Sequence, residues 1–433
     1  MTTVIIIAAV TCICLILSVL FKTSVGIKGK SISIYWIIVM IGALVILCSG
    51  LISFKEAFEM ITADTAINPL KILVLFLSMS VLSIFLDEIG FFRYLAGMVL
   101  KRAKTSQKML MIYLYLIVSV LTVFTSNDII ILTFTPFICY FAKNAKIDPI
   151  PYLFAEFVAA NTWSMMLVIG NPTNVYLATT NGITFVEYVK VMVLPTIMGG
   201  AAAFTMIMLV FRNKLKKAVE AEPENVNLKD RGLLAIGIAH LGICTVFLVI
   251  SSYINIDMWL ITMCFALSLF IWVIAYKLIG KNKERVIGQC LKRIPWQLIP
   301  FVLSMFVVVL ALDKYQVTDL IAGWFGNKAS VWVYGASSFI SANFINNIPM
   351  SVLFSAIIGK ADGAITLQAT YAAVVGSNIG AILTPIGALA GIMWSSILKK
   401  HGVKFSFLTY IKYGAVISVP ALAFTLLGLD IVL

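Results

Sequence analysis

Four short stretches carry the polar residues that an apolar chain does not keep without a use. They are TSNDIIILTFTPF (125–137), AANTWSMMLVIGNPTN (159–174), SANFINNIPM (341–350) and GSNIGAILTPIGALAG (376–391). Each sets Asn, Ser or Thr beside Gly or Pro inside otherwise apolar sequence. Unpaired polar groups are costly in hydrocarbon, so such clusters must line a cavity or hold one another. Pro136, Gly170, Pro172, Pro349, Gly380, Pro385 and Gly387 are helix breakers at these sites, and a broken helix presents free N–H and C=O ends. Those ends, with Asn, Ser and Thr side chains, can replace the hydration shell of a small ion or oxyanion. The binding candidates are Asn127, Asp128, Asn161, Thr162, Asn171, Thr173 and Asn174 in the first half, and Asn346, Asn347, Ser377, Asn378 and Thr384 in the second. A single Asn in a span is most simply a helix–helix hydrogen bond. Four Asn-bearing breaks in register argue for a shared site.

Carboxylates in apolar surroundings can carry a proton or bind a cation. Asp128, Asp87, Glu88 and Asp313 are therefore the coupling candidates. Glu156 starts another apolar run and favours neither a functional nor a packing role. His240 reads as a packed residue with one hydrogen bond, and His401 as solvated in a basic loop.

The positions of these residues follow an internal repeat. Residues 69–97 and 295–323 align at an offset of 226, with nine of 29 positions identical. Leu77-Ser78-Met79 meets Leu303-Ser304-Met305, and Leu86-Asp87 meets Leu312-Asp313. Further on, Asn161 aligns with Asn378 at an offset of 217, and Asp128 with Asn347 at 219. Repeats in an apolar chain are a mark of secondary transporters, whose site lies near the bilayer midplane where the halves meet.

Composition sets the class. The chain is 61% hydrophobic and 12% charged, against about 45–50% and 25% for soluble domains. Runs at 3–21, 32–53, 188–211, 232–252, 258–276 and 406–430 are long enough to cross a bilayer. About 10–12 spans are expected. The first run lacks a basic leader and a second span follows at once, so it reads as a span rather than a removable signal. The net charge of +13 gathers in short loops, which is the positive-inside bias and not a nucleic-acid surface. Lys22, Lys28 and Lys30 place the first loop in the cytoplasm and the N-terminus outside. Loop 54–68 is then external. In the second half the signs swap: loop 251–257 has no basic residue, whereas 277–294 has Lys277, Lys281, Lys283, Arg285, Lys292 and Arg293. Corresponding loops face opposite sides, giving an inverted repeat of 1–211 and 232–433 joined by a cytoplasmic linker, 212–231.

Other classes lack their residues. No HExxH, GxSxG or GxxxxGK[ST] sequence occurs, so a membrane protease or an ATP-driven subunit has no support. Basic spans of the voltage-sensor kind are missing too. Cys12 and Cys14 have the wrong spacing for a zinc knuckle or redox pair. No metal site and no cofactor is expected beyond a coupling Na⁺ or H⁺.

At this point the motifs FLDEIGFF (85–92), TSNDIIILTFTP (125–136), IPWQLIPFVLSMFVVV (294–309), INNIPMSVL (345–353) and LTPIGALAGIMW (383–394) resemble the arsenite/antimonite efflux permeases of the ion transporter superfamily. The resemblance runs from about residue 70 to the C-terminus. It implies a bacterial inner-membrane carrier with a scaffold part and a mobile part, re-entrant hairpins, unwound helices and an elevator-type movement. In those permeases an Asp stands where this chain has Asn161, and another where it has Asn378. GNPTN (170–174) is similar to an element of the dicarboxylate/sulfate branch. Two neutral amides suit an anion better than two carboxylates would.

The expectation is an all-α polytopic membrane protein that is not an enzyme. It would carry a small anion or metalloid oxyanion across the bilayer by alternating access, with a homodimer as one expected assembly. The alternatives are a Na⁺- or H⁺-coupled dicarboxylate, sulfate or phosphate carrier, and a Na⁺/H⁺ antiporter on the same fold.

Overall fold

The computed structural model describes residues 1–21, 24–27, 30–64, 68–103, 106–216, 230–280, 286–325, 331–361 and 363–433. Helices run in two series. The first is α1 (Thr2–Phe21), α2 (Tyr35–Cys48), α3 (Phe54–Thr62), α4 (Pro69–Glu88), α5 (Phe91–Ala103), α6 (Gln107–Phe124), α7 (Asn127–Asn144), α8 (Ile150–Trp163), α9 (Pro172–Thr180) and α10 (Phe185–Phe211). The second is α11 (Arg231–Ile254), α12 (Met258–Gly280), α13 (Val286–Arg293), α14 (Leu298–Lys314), α15 (Val317–Phe325), α16 (Val331–Ile345), α17 (Asn347–Ile358), α18 (Gly363–Leu383), α19 (Leu389–Lys400) and α20 (Phe407–Val432).

Local chemistry explains where the helices start. Asn68 accepts from the backbone N–H groups of Leu70 and Lys71 and precedes Pro69, so α4 begins there. Asn171 does the same for α9, ahead of Pro172. Thr184 and Glu187 form a capping box on α10, and Ser406 caps α20.

Among the described residues eight helical spans are long and apolar enough to cross a membrane, α13 and α14 counting together as one, with four shorter apolar helices besides. Those eight include the expected runs at 188–211, 232–252, 258–276 and 406–430. The run at 32–53 gives a shorter helix: the strand Lys30–Ser33 takes its first two residues, and the chain turns at Ser49 and Gly50 after Cys48. That strand pairs antiparallel with Ser24–Ile27, so among the described residues the fold is helical except for one two-stranded ribbon. Val25, Ile27 and Ile32 are β-branched, which favours extended backbone over helix. Lys22, Lys28, Lys281, Lys283, Arg285 and most of the linker, 217–229, lie outside the described residues.

Packing pairs elements across the two series. α4 packs on α12 and α14 on α2; α9 packs on α17 and α19 on α7; α10 packs on α20. Equivalent helices thus make exchanged contacts. Spans α11 and α12 are only 22% and 28% buried, and the apolar side chains they leave exposed, such as Val246, Ile271 and Trp272, form the face a bilayer covers. Two ion-paired clamps tie the series together. Arg293 of α13 bridges to Asp87 at 2.5 Å and Glu88 at 2.6 Å on α4, and Lys314 of α14 meets Glu56 of α3 at 2.7 Å. Arg293 is therefore not a free loop cation.

The contact between α16 and α18 depends on the absence of side chain at Gly376. A Cβ there would strike the Gly335 carbonyl, the Phe339 N–H and Ser338. By contrast, a Cβ at Gly288 on α13 meets nothing. Gly376→Val should lower stability by about 1–3 kcal/mol through overpacking. Gly288→Ala should raise it by a few tenths to about 1 kcal/mol through helix propensity. Thermal unfolding of the purified protein in detergent checks both; equal midpoints for the two variants would remove the close-packing argument.

Candidate functional site

The polar stretches converge on two helix breaks. In the first, α8 ends at Trp163, the backbone passes through a 3-10 turn at Val168–Gly170, and α9 restarts at Pro172. In the second, α18 ends at Leu383 and α19 starts at Leu389. Gly170 allows the first break to fold tightly, because a Cβ there would collide with the Ser164 carbonyl.

Asn378 of α18 is the centre. Its Nδ2 donates to Asn174 Oδ1 at 2.7 Å and to the Val374 carbonyl at 2.8 Å. Its Oδ1 accepts from Ser164 Oγ and from Asn171 Nδ2, both at 3.0 Å. All four hydrogen-bonding positions of the amide are filled. The carbonyl of Val374 can only accept, so it fixes which end is the NH₂. Ser377 Oγ donates to Thr173 Oγ1 at 2.7 Å. Asn174 Nδ2 donates to the Ser164 and Leu167 carbonyls, satisfying groups that the break strands. Thus Ser377 and Asn378, expected in a second half-site, sit among Asn171, Thr173 and Asn174 of the first.

Asn161 repeats part of the pattern. Its Nδ2 donates four residues back to Phe157, as Asn378 does to Val374, and its Oδ1 accepts from Asn127 Nδ2 at 3.2 Å. Around the second break, Asn346 Nδ2 donates to the Ile386 carbonyl at 2.9 Å and the Asn347 N–H to that of Gly387 at 3.0 Å. Thr384 Oγ1 donates to Asn343 Oδ1 at 2.7 Å, and Asn343 Nδ2 to the Gly380 carbonyl at 3.0 Å. Ser164 and Asn343 are working members of the two clusters that residue type alone did not single out. Both lie within the polar stretches: Ser164 comes three residues after Asn161, a helical spacing that puts the pair on one face, and Asn343 lies in the last turn of α16, just before the turn at Asn346.

Three buried polar atoms near the breaks have no partner: Ser126 Oγ, Thr162 Oγ1 and Asn347 Oδ1. Ser126 and Asn347 flank the N-termini of α7 and α17, where local acceptors take the first N–H groups: Asn127 Oδ1 that of Asp128, the Gly387 carbonyl that of Asn347 and Asn346 Oδ1 that of Ile348. The two hydroxyls, left without partners, can donate to a small polar or negatively charged solute. Asp128 sits in the first turn of α7, and its carboxylate forms no ion pair among the described residues.

The other carboxylates are engaged elsewhere. Asp87 and Glu88 end α4 on Arg293. Asp313 ends α14, accepting from Thr318 at 2.6 Å and facing Lys360 at 3.4 Å. The structure gathers none of the three into the Asn clusters, because each is drawn to a cation at a helix end. Glu156 is fully buried and accepts from Thr135 Oγ1 at 2.9 Å. His240 is held between the Ile236 carbonyl and Ser268 Oγ. Among the described residues no group of His, Cys, Asp and Glu is arranged to hold a metal.

Two cavities lie outside the Asn clusters, and one of them reaches a break. One, of about 570 Å³, lies between the turn joining α9 to α10 and the ends of α4, α11 and α12. Its Lys71 bridges Asp64 and Asp257 at 2.5 and 3.5 Å, and the ammonium holds the Asp64 carboxyl below the usual carboxylate range. The other, of about 870 Å³, lies between α19 and α20 and reaches Pro385 and Ile386.

The saturated amide makes a direct prediction. In Asn378→Asp the Asn174 Oδ1 and Val374 carbonyl lose their donor and face a carboxylate. Stability should fall by about 1–3 kcal/mol or more. Thermal unfolding measures it, and a variant as stable as the parent would show that the four bonds are not needed.

Comparison with known proteins fits this arrangement. The CitMHS profile, described as citrate transporter, matches residues 27–373. An arsenical pump membrane protein of Escherichia coli is 27% identical over 371 residues, covering 82% of this chain and 84% of that protein. A second from Escherichia coli is 27% identical over 421 residues, covering 93% and 94%. The putative arsenical pump membrane protein of Bacillus subtilis is 25% identical over 415 residues, covering 89% and 91%. Among solved structures, the YdaH transporter of Alcanivorax borkumensis superposes with a TM-score of 0.55 at 13% identity, covering 99% of this chain and 97% of that one. MtrF of Neisseria gonorrhoeae gives 0.56 at 13%, covering 98% and 94%. These two likenesses establish the fold of a multi-pass membrane transporter. With the profile spanning most of its length, the chain belongs to the CitMHS citrate transporter family.

Proposed function

We propose that this chain is a secondary active transporter of a small anion or metalloid oxyanion, working by alternating access. The observation that carries the reading is the neutral Asn–Ser–Thr network joining the two helix breaks, with Asn378 of one half seated among the break residues of the other. A site made of amides and hydroxyls binds negative or polar oxygen groups, with Asp128 the carboxylate beside it. Relatives named for arsenical pumping and the family's citrate description support both solute classes.

The two series are inverted repeats, with the N-terminus outside, loops 212–231 and 277–294 in the cytoplasm, and loop 251–257 outside. Exchanged contacts between equivalent helices support a two-fold relation between the series, and the loop charges support this orientation. The helices α1, α2, α4, α11, α12 and α14 form a scaffold, and those bearing the breaks move against it, alone or in a homodimer. Thr162, Asn127, Asn161, Asn346, Asn347 and Thr384 contact the solute or its coupling ion, and Asp128 carries the coupling H⁺ or Na⁺.

Flux in proteoliposomes, with and without a pH or Na⁺ gradient, tests the reading against arsenite, antimonite, phosphate, sulfate, succinate and citrate. Saturable flux of one of these supports it. Na⁺ movement against a pH gradient with no anion carried would replace it with antiport. Asp128→Asn should abolish gradient-driven flux while leaving the protein inserted; normal driven flux would remove Asp128 from the mechanism. Asn161→Ala should raise KM at least about tenfold, the scale of one lost hydrogen bond to a charged group, and an unchanged KM would exclude Asn161 from the site.

A further inference from the structure

The cavity between α19 and α20 differs from the one beside Lys71 in three ways. Its basic residues are free of carboxylates: none of its lining residues is acidic, and Lys399 and Lys404 form no ion pair among the described residues. Its wall holds a buried donor without a partner. Tyr410 is 1% exposed and its hydroxyl closes no hydrogen bond, while the indole N–H of Trp394, also 1% exposed, faces the Glu156 carboxylate. Its floor is the second helix break itself. Pro385 and Ile386 line it, and the Ile386 carbonyl takes the Asn346 amide. The cavity thus ends one hydrogen bond from the second Asn cluster.

The two cavities also differ in what encloses them. The turn from α9 to α10 faces residues of α4, α11 and α12 across its cavity. The turn from α19 to α20 occupies the equivalent place in the second series, yet no residue of α2 or α14 lines its cavity.

We infer that this cavity is the cytoplasmic vestibule of the transport site, and that it admits solutes carrying full negative charge in preference to neutral hydroxides. This rests on the transport reading and its orientation. Lys399 and Lys404 at the rim raise the local anion concentration, an effect that salt screens. Ser395 and Tyr410 then offer donors along the wall toward the break. The pair acts on capture, before the solute reaches the Asn network. Neutralising both lysines therefore changes KM and its salt dependence while leaving kcat alone.

The test uses inverted membrane vesicles, in which the cytoplasmic face meets the medium. The solute is whichever of succinate, citrate, sulfate or phosphate the parent carries fastest, with arsenite, uncharged at neutral pH, as the comparison. In the Lys399→Gln/Lys404→Gln variant, KM for the anion should rise about three- to tenfold at low salt, within the range of electrostatic steering. The parent's KM should climb with ionic strength and the variant's should not. Ser395→Cys treated from the cytoplasmic side with a membrane-impermeant thiol reagent should lose flux and be protected by the anion; the equally treated parent supplies the background from its own cysteines. Anion flux in the parent with the same KM and salt response in the double variant overturns the vestibule and leaves the transport reading standing. So does a parent that carries arsenite alone. A parent that carries none of these solutes overturns both.

Discussion

The whole arrangement turns on one constraint: backbone and side-chain polar groups inside a bilayer-spanning protein must find partners within the protein. Ending α8 at Trp163 and restarting at Pro172 strands carbonyls and N–H groups in the middle of a buried layer. The amide of Asn174 answers two of those carbonyls, and the amide of Asn378 holds Asn174, Asn171 and Ser164 in place from across the repeat. Nothing in this knot carries a formal charge. It keeps the break rigid and leaves nearby polar atoms, such as Thr162 Oγ1, available.

The remaining charges then sort by position. Arg293 draws Asp87 and Glu88 to one end of α4, and Lys314 draws Glu56 at one end of α14. The signs at the two clamps are exchanged between the helix end and its short partner helix. In the proposed orientation the loop lysines lie on the cytoplasmic side, so a site lined by neutral groups can still be approached through a basic rim. The proposed division of labour, capture by loop charges and coordination by amides, needs no carboxylate in the binding layer except Asp128.

Much of this was legible in the residues. The spacings of 226 and 217 that relate the halves reappear where α5 and α15 begin, at Phe91 and Val317, and where α9 and α19 begin, at Pro172 and Leu389. The break residues were visible because Asn beside Gly or Pro has no cheap place in hydrocarbon. What could not be read was which break pairs with which. Ser377 and Asn378 were assigned to a separate half-site, because linear order says nothing of the crossing that lays α18 against α9. Asp87 and Glu88 carried the same apolar signature as Asp128 and differ only in having Arg293 nearby, a partner about 200 residues away in sequence. The strands Ser24–Ile27 and Lys30–Ser33 fall in a stretch read as a basic loop, where the lysines masked the β-branched residues between them.

The central claim is that solute binds where the Asn-bearing breaks of the two halves meet. The most direct test is a density map of the protein with arsenite or another heavy oxyanion bound, located by anomalous scattering or by difference density against the same protein without it. The account predicts one peak within hydrogen-bond reach of the Asn127–Asn161 pair or the Asn346–Asn347 pair, beside the N-termini of α7 and α17. A fully occupied peak found only in the cavity at Lys71, or at the Arg293 clamp, would contradict it.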